Sequence, residues 1–252
     1  MIPLSDENVS LRPPVMTWAL LATMFAVWIF VQGAGLSDIS LISSVCNLGM
    51  VPGEITHLAP LGSALPMGNG LACVIDNDRI NIFTPLISMF LHGGWLHILG
   101  NAVFFWVFAR AVEDTMGPGR FLAFYLICGL IAAAVQIASD PASPVPTVGA
   151  SGAISGVMGA YLVLYPRVRV HMLFIFVIFF KVFRIPAWIV LIWWFAVQLL
   201  TALPSLSAGV PDLSGGVAVW AHVGGFLSGM LLIRVFLRPD YMEQRRRLVP
   251  VA

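Results

Sequence analysis

Apolar residues along this chain gather into long runs separated by short polar stretches. A helix that crosses a bilayer needs about 20 predominantly apolar residues. Runs of that kind lie near Val15–Leu36, Trp95–Val112, Phe121–Ala138, Gly149–Tyr165, Pro186–Leu203 and Val217–Leu237. A further run, Val170–Phe183, is shorter and closes on Lys181, Arg184 and Pro186, so the pattern predicts an interfacial or re-entrant piece there and no crossing. The fold class expected is an all-α polytopic membrane protein, a bundle of six transmembrane helices. Residues 1–14 form a short tail, 15–238 a single membrane domain and 239–252 a basic tail. Within the domain, the polar segment 37–90 is too long for a simple connector and reads as self-structured or functional. The first tail lacks a basic region and a small-residue cleavage site, so the first span is expected to be retained.

Composition agrees with this picture. Of 252 residues 59% are hydrophobic and 10% charged, and the mean hydropathy is +0.93, whereas soluble domains carry about a quarter charged residues. A net charge of +1 gives no support to nucleic-acid binding. The placement of charge says more. With both termini in the cytoplasm, Arg79 is the one residue of thirteen Lys and Arg left on the outer side, as the positive-inside rule favours. A seventh span would carry the tail RPDYMEQRRR outside. The RRR cluster most simply orients the last helix, with lipid headgroups as a lesser partner. Cys46, Cys73 and Cys128 show no metal-ligand spacing, so neither metal nor cofactor is expected. Cys46 and Cys73 share the long outer segment. They pair if it faces an oxidising compartment, but unpaired small core residues fit at least as well.

Ionisable side chains inside a bilayer are costly and by default mark function. Asp and Glu are confined to the ends of the runs, which leaves His97 near the start of the second and His222 near the start of the sixth, with His92 just ahead of His97. In the orientation above the second, fourth and sixth helices all run inward, so His97, Ser151 and His222 reach one shallow layer. Asn101 lies four residues after His97, on the same helix face. A hydroxyl, an imidazole and a cluster of hydrogen-bond donors are the inventory of acyl transfer. No carboxylate accompanies them, so the arrangement reads as a Ser-His dyad. Gly152 with Gly156, and Gly225 with Gly229, form GxxxG pairs that let helix backbones approach closely in lipid. Taken alone, GASG at Gly149–Gly152 is more often a packing device than a site. His92 is assigned a structural hydrogen bond to a neighbouring helix. Ser155, one turn deeper, and Ser228, far along the helix from His222, are the weaker candidate nucleophiles.

Three stretches together resemble the rhomboid intramembrane serine proteases. HGGWLHILGN, from His92 to Asn101, is similar to the family's HxxxxHxxxN; GASG to its GxSG; and AHVGGFLSG, from Ala221 to Gly229, to its histidine-bearing last core helix. The resemblance implies Ser151 as nucleophile, His222 as general base, an oxyanion hole of His97, Asn101 and the Ser151 backbone N–H, and Gly149, Gly152 and Gly225 as structural residues near the site. It further implies that the fifth helix and the loop after it gate entry, with Trp193, Trp194 and Phe195 at such a gate or equally facing lipid. Its substrates would be membrane proteins, hydrolysed in or near their transmembrane segments. The compact six-span core without extra domains points to a bacterial inner membrane, with organelle membranes as the alternative. The chain departs from the family in two places. The Trp-Arg pair common in the first loop is missing, Arg79 being the sole basic residue there. Ser155 also stands where some members carry an aromatic residue that packs on the histidine, so His222 must be held by other contacts. A non-catalytic rhomboid-like protein that binds membrane clients is the alternative, and its expected loss of Ser or His is not seen. Transporter repeats, HExxH and paired intramembrane aspartates are likewise missing from the sequence.

Overall fold

The computed structural model describes residues 2–68, 70–176, 179–208 and 218–248, with backbone alone at 176, 179 and 203–208. The chain opens with strand β1 (Ile2–Asp6) and helix α1 (Val15–Phe30). Its first loop then holds α2 (Asp38–Leu48), α3 (Pro52–Ile55), the antiparallel strands β2 (Ala64–Gly68) and β3 (Leu71–Val74), and α4 (Thr84–Ile87). Next come α5 (Trp95–Met116), α6 (Pro118–Ser139) and α7 (Ser151–Leu164), the strands β4 (Arg169–Phe176) and β5 (Phe179–Pro186), and the helices α8 (Ala187–Ala208), α9 (Val219–Phe236) and α10 (Pro239–Leu248).

Helices α1, α5, α6, α7, α8 and α9 lie on the six apolar runs. By length and composition α5, α6 and α9 can cross a membrane, whereas α1, α7 and the stretch Ala187–Ala202 of α8 are apolar but shorter. Helix α7 has 14 residues. At 1.5 Å per residue it rises about 21 Å, less than the roughly 30 Å of a hydrocarbon core.

That short helix is the centre of the molecule. It is buried continuously from Gly152 to Tyr161, as a helix with neighbours on all sides must be. Glycines make this possible. A Cβ on Gly225 would strike the backbone carbonyl of Gly152, one on Gly229 that of Gly156, and one on Gly159 that of Phe226. Helices α7 and α9 therefore meet backbone to backbone, the close approach that small residues permit in lipid.

Strands at the other end of the bundle correct the all-α expectation. The apolar run Val170–Phe183 is no re-entrant helix: β4 and β5 pair antiparallel, and β1 from the first tail adds to them in the order β1-β4-β5. Its β-branched and aromatic residues suit a sheet. Val170 and Met172 point into the core while Ile175, Phe180 and Val182 stay exposed. The first tail is held by the C-terminal turn of α5. Glu113 accepts hydrogen bonds from the Met16 and Thr17 N–H groups, at 2.8 Å each, and so caps an α1 that has no capping side chain of its own. Asp114 accepts from the Leu11 and Arg12 N–H groups and pairs with Arg245 at 2.8 Å. Arg245 thus sits buried in an ion pair, and the basic tail forms the helix α10.

In the first loop Cys46 and Cys73 form a disulfide that ties α2 to β3, where the sequence favoured unpaired residues; Cys128 is free and buried. The segment after α8, expected to gate entry, falls at 209–217 and lies outside the described residues.

Gly229→Ala is expected to lower stability by about 1–3 kcal/mol through overpacking of the α7–α9 seam. Thermal unfolding in detergent measures this, with Gly119→Ala as a control that should melt as wild type because its added methyl meets nothing within 4 Å. Denatured without reductant, the protein is expected to take up one maleimide, at Cys128, and after reduction three. Reduction is expected to cost about 3.6 kcal/mol of stability on the chain-entropy estimate for such a loop.

Candidate active site

Ser151 is the first residue of α7, reached through a turn only glycine suits. Gly149 has φ +129°, which L side chains rarely adopt, and a Cβ there would lie 2.7 Å from Nε2 of His97. Its N–H donates to the Ser88 carbonyl at 2.9 Å, which fixes the approach to the helix. From this position Ser151 Oγ lies 2.7 Å from Nε2 of His222, which stands in the first turn of α9. Gly152 and Gly225, which bring the two backbones together one residue beyond the serine and three beyond the histidine, explain why helices bearing these side chains can stand so close.

The other face of His222 is occupied as well. Its Nδ1 lies 2.9 Å from Oε1 of Gln198 on α8, and the Trp194 ring sits 5.7 Å away at 42°. Trp194 and Gln198 are four residues apart and share one face of α8. Phe195 stacks on Phe226 at 4.6 Å, whereas Trp193 is 58% exposed. The gate aromatics named from the sequence thus divide, two against α9 and one facing outward. Gln198, an uncharged residue outside the three motifs, was not among the expected site residues. The signal was a lone amide in an apolar run, four residues after a tryptophan.

On α5, His97 Nδ1 accepts the Gly93 N–H at 3.3 Å, which leaves Nε2 toward Gly149 to carry the proton. Asn101 is 7% exposed and its Nδ2 has no partner, a buried donor of the kind that costs free energy unless something fills it. Ser151 at the first helical position has a backbone N–H without an intrahelical acceptor. His97 and Ser151 lie in the first turns of α5 and α7, where the macrodipole favours negative charge, and Asn101 lies one turn further into α5. A cavity of about 30 Å³, room for a water molecule, adjoins Ser151 and is lined mainly by small residues such as Ser88, Gly129, Ala132 and Gly152.

The rival serines are engaged elsewhere. Ser155 Oγ donates to the Ser151 carbonyl at 2.6 Å and Ser228 Oγ to that of Gly225 at 2.7 Å. His92 differs from its expected role. Neither ring nitrogen has a partner, and the ring packs edge-on against His97 at 5.2 Å. The polar link to a neighbour is made by its backbone, whose N–H and C=O are both bonded by the Gln32 side chain. Arg79 begins a short 3₁₀ turn, Arg79–Phe83, and is exposed. Among the described residues no cluster of three or more His, Cys, Asp or Glu could hold a metal ion.

Comparison with known proteins places this geometry in context. Residues 79–239 match the family model of the Rhomboid domain. The chain is 39% identical to Rhomboid protease GluP of Bacillus subtilis (strain 168) over 89 residues, 35% of this chain and 16% of that protein. It is 30% identical to RHOMBOID-like protein 5 of Arabidopsis thaliana over 172 residues, 66% of this chain and 48% of the relative. With Presenilin-associated rhomboid-like protein A, mitochondrial, of Danio rerio it shares 29% identity over 156 residues, 59% of this chain and 36% of the relative. The match spans less than half the length of each of these relatives.

Because the Asn101 amide donor is buried and unpaired, Asn101→Leu is expected to melt at or above the wild-type temperature. A lower melting temperature would show instead that the amide holds the fold together.

Proposed function

The chain belongs to the rhomboid family, and on that footing we propose that it is an intramembrane serine endopeptidase acting on transmembrane segments of other proteins. The observation that carries the reading is the 2.7 Å contact between Ser151 Oγ and His222 Nε2. In the proposed reaction Nε2 takes the hydroxyl proton as Oγ attacks the scissile carbonyl carbon. The oxyanion is met by His97 Nε2–H, the Asn101 amide and the Ser151 N–H. His222 then protonates the leaving amine, and a water activated by the same ring hydrolyses the acyl-enzyme. A helical peptide bond is shielded, so the substrate helix must unwind locally. Segments with Gly or Pro near the cleaved bond meet that need at least cost.

All six apolar helices are proposed to span the bilayer, with both termini in the cytoplasm. The positive-inside distribution supports this, as does the Cys46–Cys73 disulfide, which calls for an oxidising compartment around the first loop. A bacterial inner membrane meets both conditions. Since α7 is about 9 Å too short for the hydrocarbon core, Ser151 at its outer end is recessed below the surface, and water reaches it from outside.

Cleavage of a single-span substrate by purified protein in detergent is the test. Ser151→Ala and His222→Ala are each expected to lower kcat/KM on the order of 10⁴-fold, and Asn101→Leu about 10²-fold. Ser155→Ala is expected to cleave as wild type. Cleavage surviving in Ser151→Ala would refute the nucleophile assignment. A wild-type protein that binds transmembrane segments without cutting them would favour a client-binding role.

A further inference from the structure

If His222 is to accept the Ser151 proton at Nε2, its own proton must rest on Nδ1. A neutral imidazole has two tautomers, and left to itself the histidine ring favours the proton on Nε2, so a partner must hold it on Nδ1. The side chain that faces Nδ1 makes the selection. Here it is Gln198, whose Oε1 lies 2.9 Å away and can only accept. The contacts form one line across three helices: Ser151 on α7, His222 on α9, Gln198 on α8.

The ring is also fixed in orientation. Trp194, one turn before Gln198, lies against both His222 and Phe226, at 5.7 and 6.0 Å. Phe195 stacks on Phe226 beside it. The far side of α8 presents Ile192, Trp193 and Leu200, which are 50%, 58% and 67% exposed. The amide is therefore turned toward the imidazole by a helix seated on one face through aromatic contacts, with its other face left to lipid. Ser155 supplies no ring to hold the histidine, since its hydroxyl is bonded back into α7.

We propose that Gln198 is a positioning residue for His222: it accepts the Nδ1–H, selects the tautomer with a free Nε2 and holds the ring in line with Ser151. This rests on the protease reading above. Unlike a carboxylate, an amide supplies no charge to the imidazolium formed during the reaction, so its contribution is orientation and tautomer selection.

The test uses the full chain in detergent, a fluorogenic single-span transmembrane peptide as substrate and an organofluorophosphonate as a probe of the serine. Gln198→Met keeps the size and removes the acceptor. It is expected to lower kcat about tenfold, the scale of one neutral hydrogen bond, with KM unchanged and serine labelling slowed in parallel. Gln198→Glu restores an acceptor. It is expected to recover most of the rate and to move the acid limb of the kcat/KM profile to higher pH, because a carboxylate beside the ring favours its protonated form. A merely structural amide would change melting temperature and leave that profile in place. If Gln198→Met turns over as wild type, the inference falls while the protease reading stands. If Gln198→Met fails to fold, an unshifted acid limb in Gln198→Glu overturns the inference. If wild type is neither labelled nor active, both readings fall together.

Discussion

The rest of the structure depends on two helix backbones touching. Helices α7 and α9 approach so closely that carbonyls of one occupy the space where side chains of the other would begin, at Gly225 against Gly152 and Gly229 against Gly156. In lipid no hydrophobic force drives helices together, so packing of this kind supplies the association. Its chemical consequence is distance. Serine is a short side chain, and at ordinary interhelical separations of 8–10 Å it reaches a neighbouring imidazole only with difficulty. Glycine at the contact removes that obstacle and leaves Oγ 2.7 Å from Nε2.

A polar site inside an apolar bundle must account for every hydrogen-bonding group it buries. Most are satisfied here by uncharged side chains from neighbouring helices. Gln32 bonds both polar groups of the His92 backbone, Gln136 accepts the Ala221 N–H in the first turn of α9, and Gln198 faces His222. The Asn101 amide is left unpaired, as are both ring nitrogens of His92, Trp28 Nε1 and the Tyr125 hydroxyl. Asn101 shares the face of α5 that carries His97, and in the proposed reaction both would meet the oxyanion. An amide left unpaired in the resting protein and paired when charge appears is what differential stabilisation of a transition state requires.

The two ends of the bundle are secured differently. At the end carrying Ser151, the long first loop is fastened by a disulfide and by the polar clamp on His92. At the other, charged groups do the work: Glu113 and Asp114 gather the first tail, α1 and α10 around the last turn of α5. Asp6 lies within hydrogen-bond reach of Tyr161 and Arg110, so β1 is tied to both α7 and α5.

Much of this was legible along the chain. The six apolar helices follow from run lengths, because the need to satisfy every backbone group within lipid leaves helices as the available answer for such runs. Ser151, His222, His97 and Asn101 were legible as candidates, from intramembrane histidines and the depth and helix face they share with a serine and an amide; that Ser151 meets His222 was left to the packing. The sheet was not legible: β1 pairs with β4 across more than 160 residues, and no local period announces a partner so distant. The disulfide likewise depends on how α2 and β3 fold back on each other. Gln198 shows the same division most clearly. Its identity is plain in the sequence, but which nitrogen it faces depends on how α8 rotates against α9, and that rotation is set by the packing of Trp194 and Phe195 on Phe226. Composition and spacing mark which groups fall in the apolar runs; only the packed helices establish which of them meet, because contact between helices depends on shape at their seams and not on the period within any one of them.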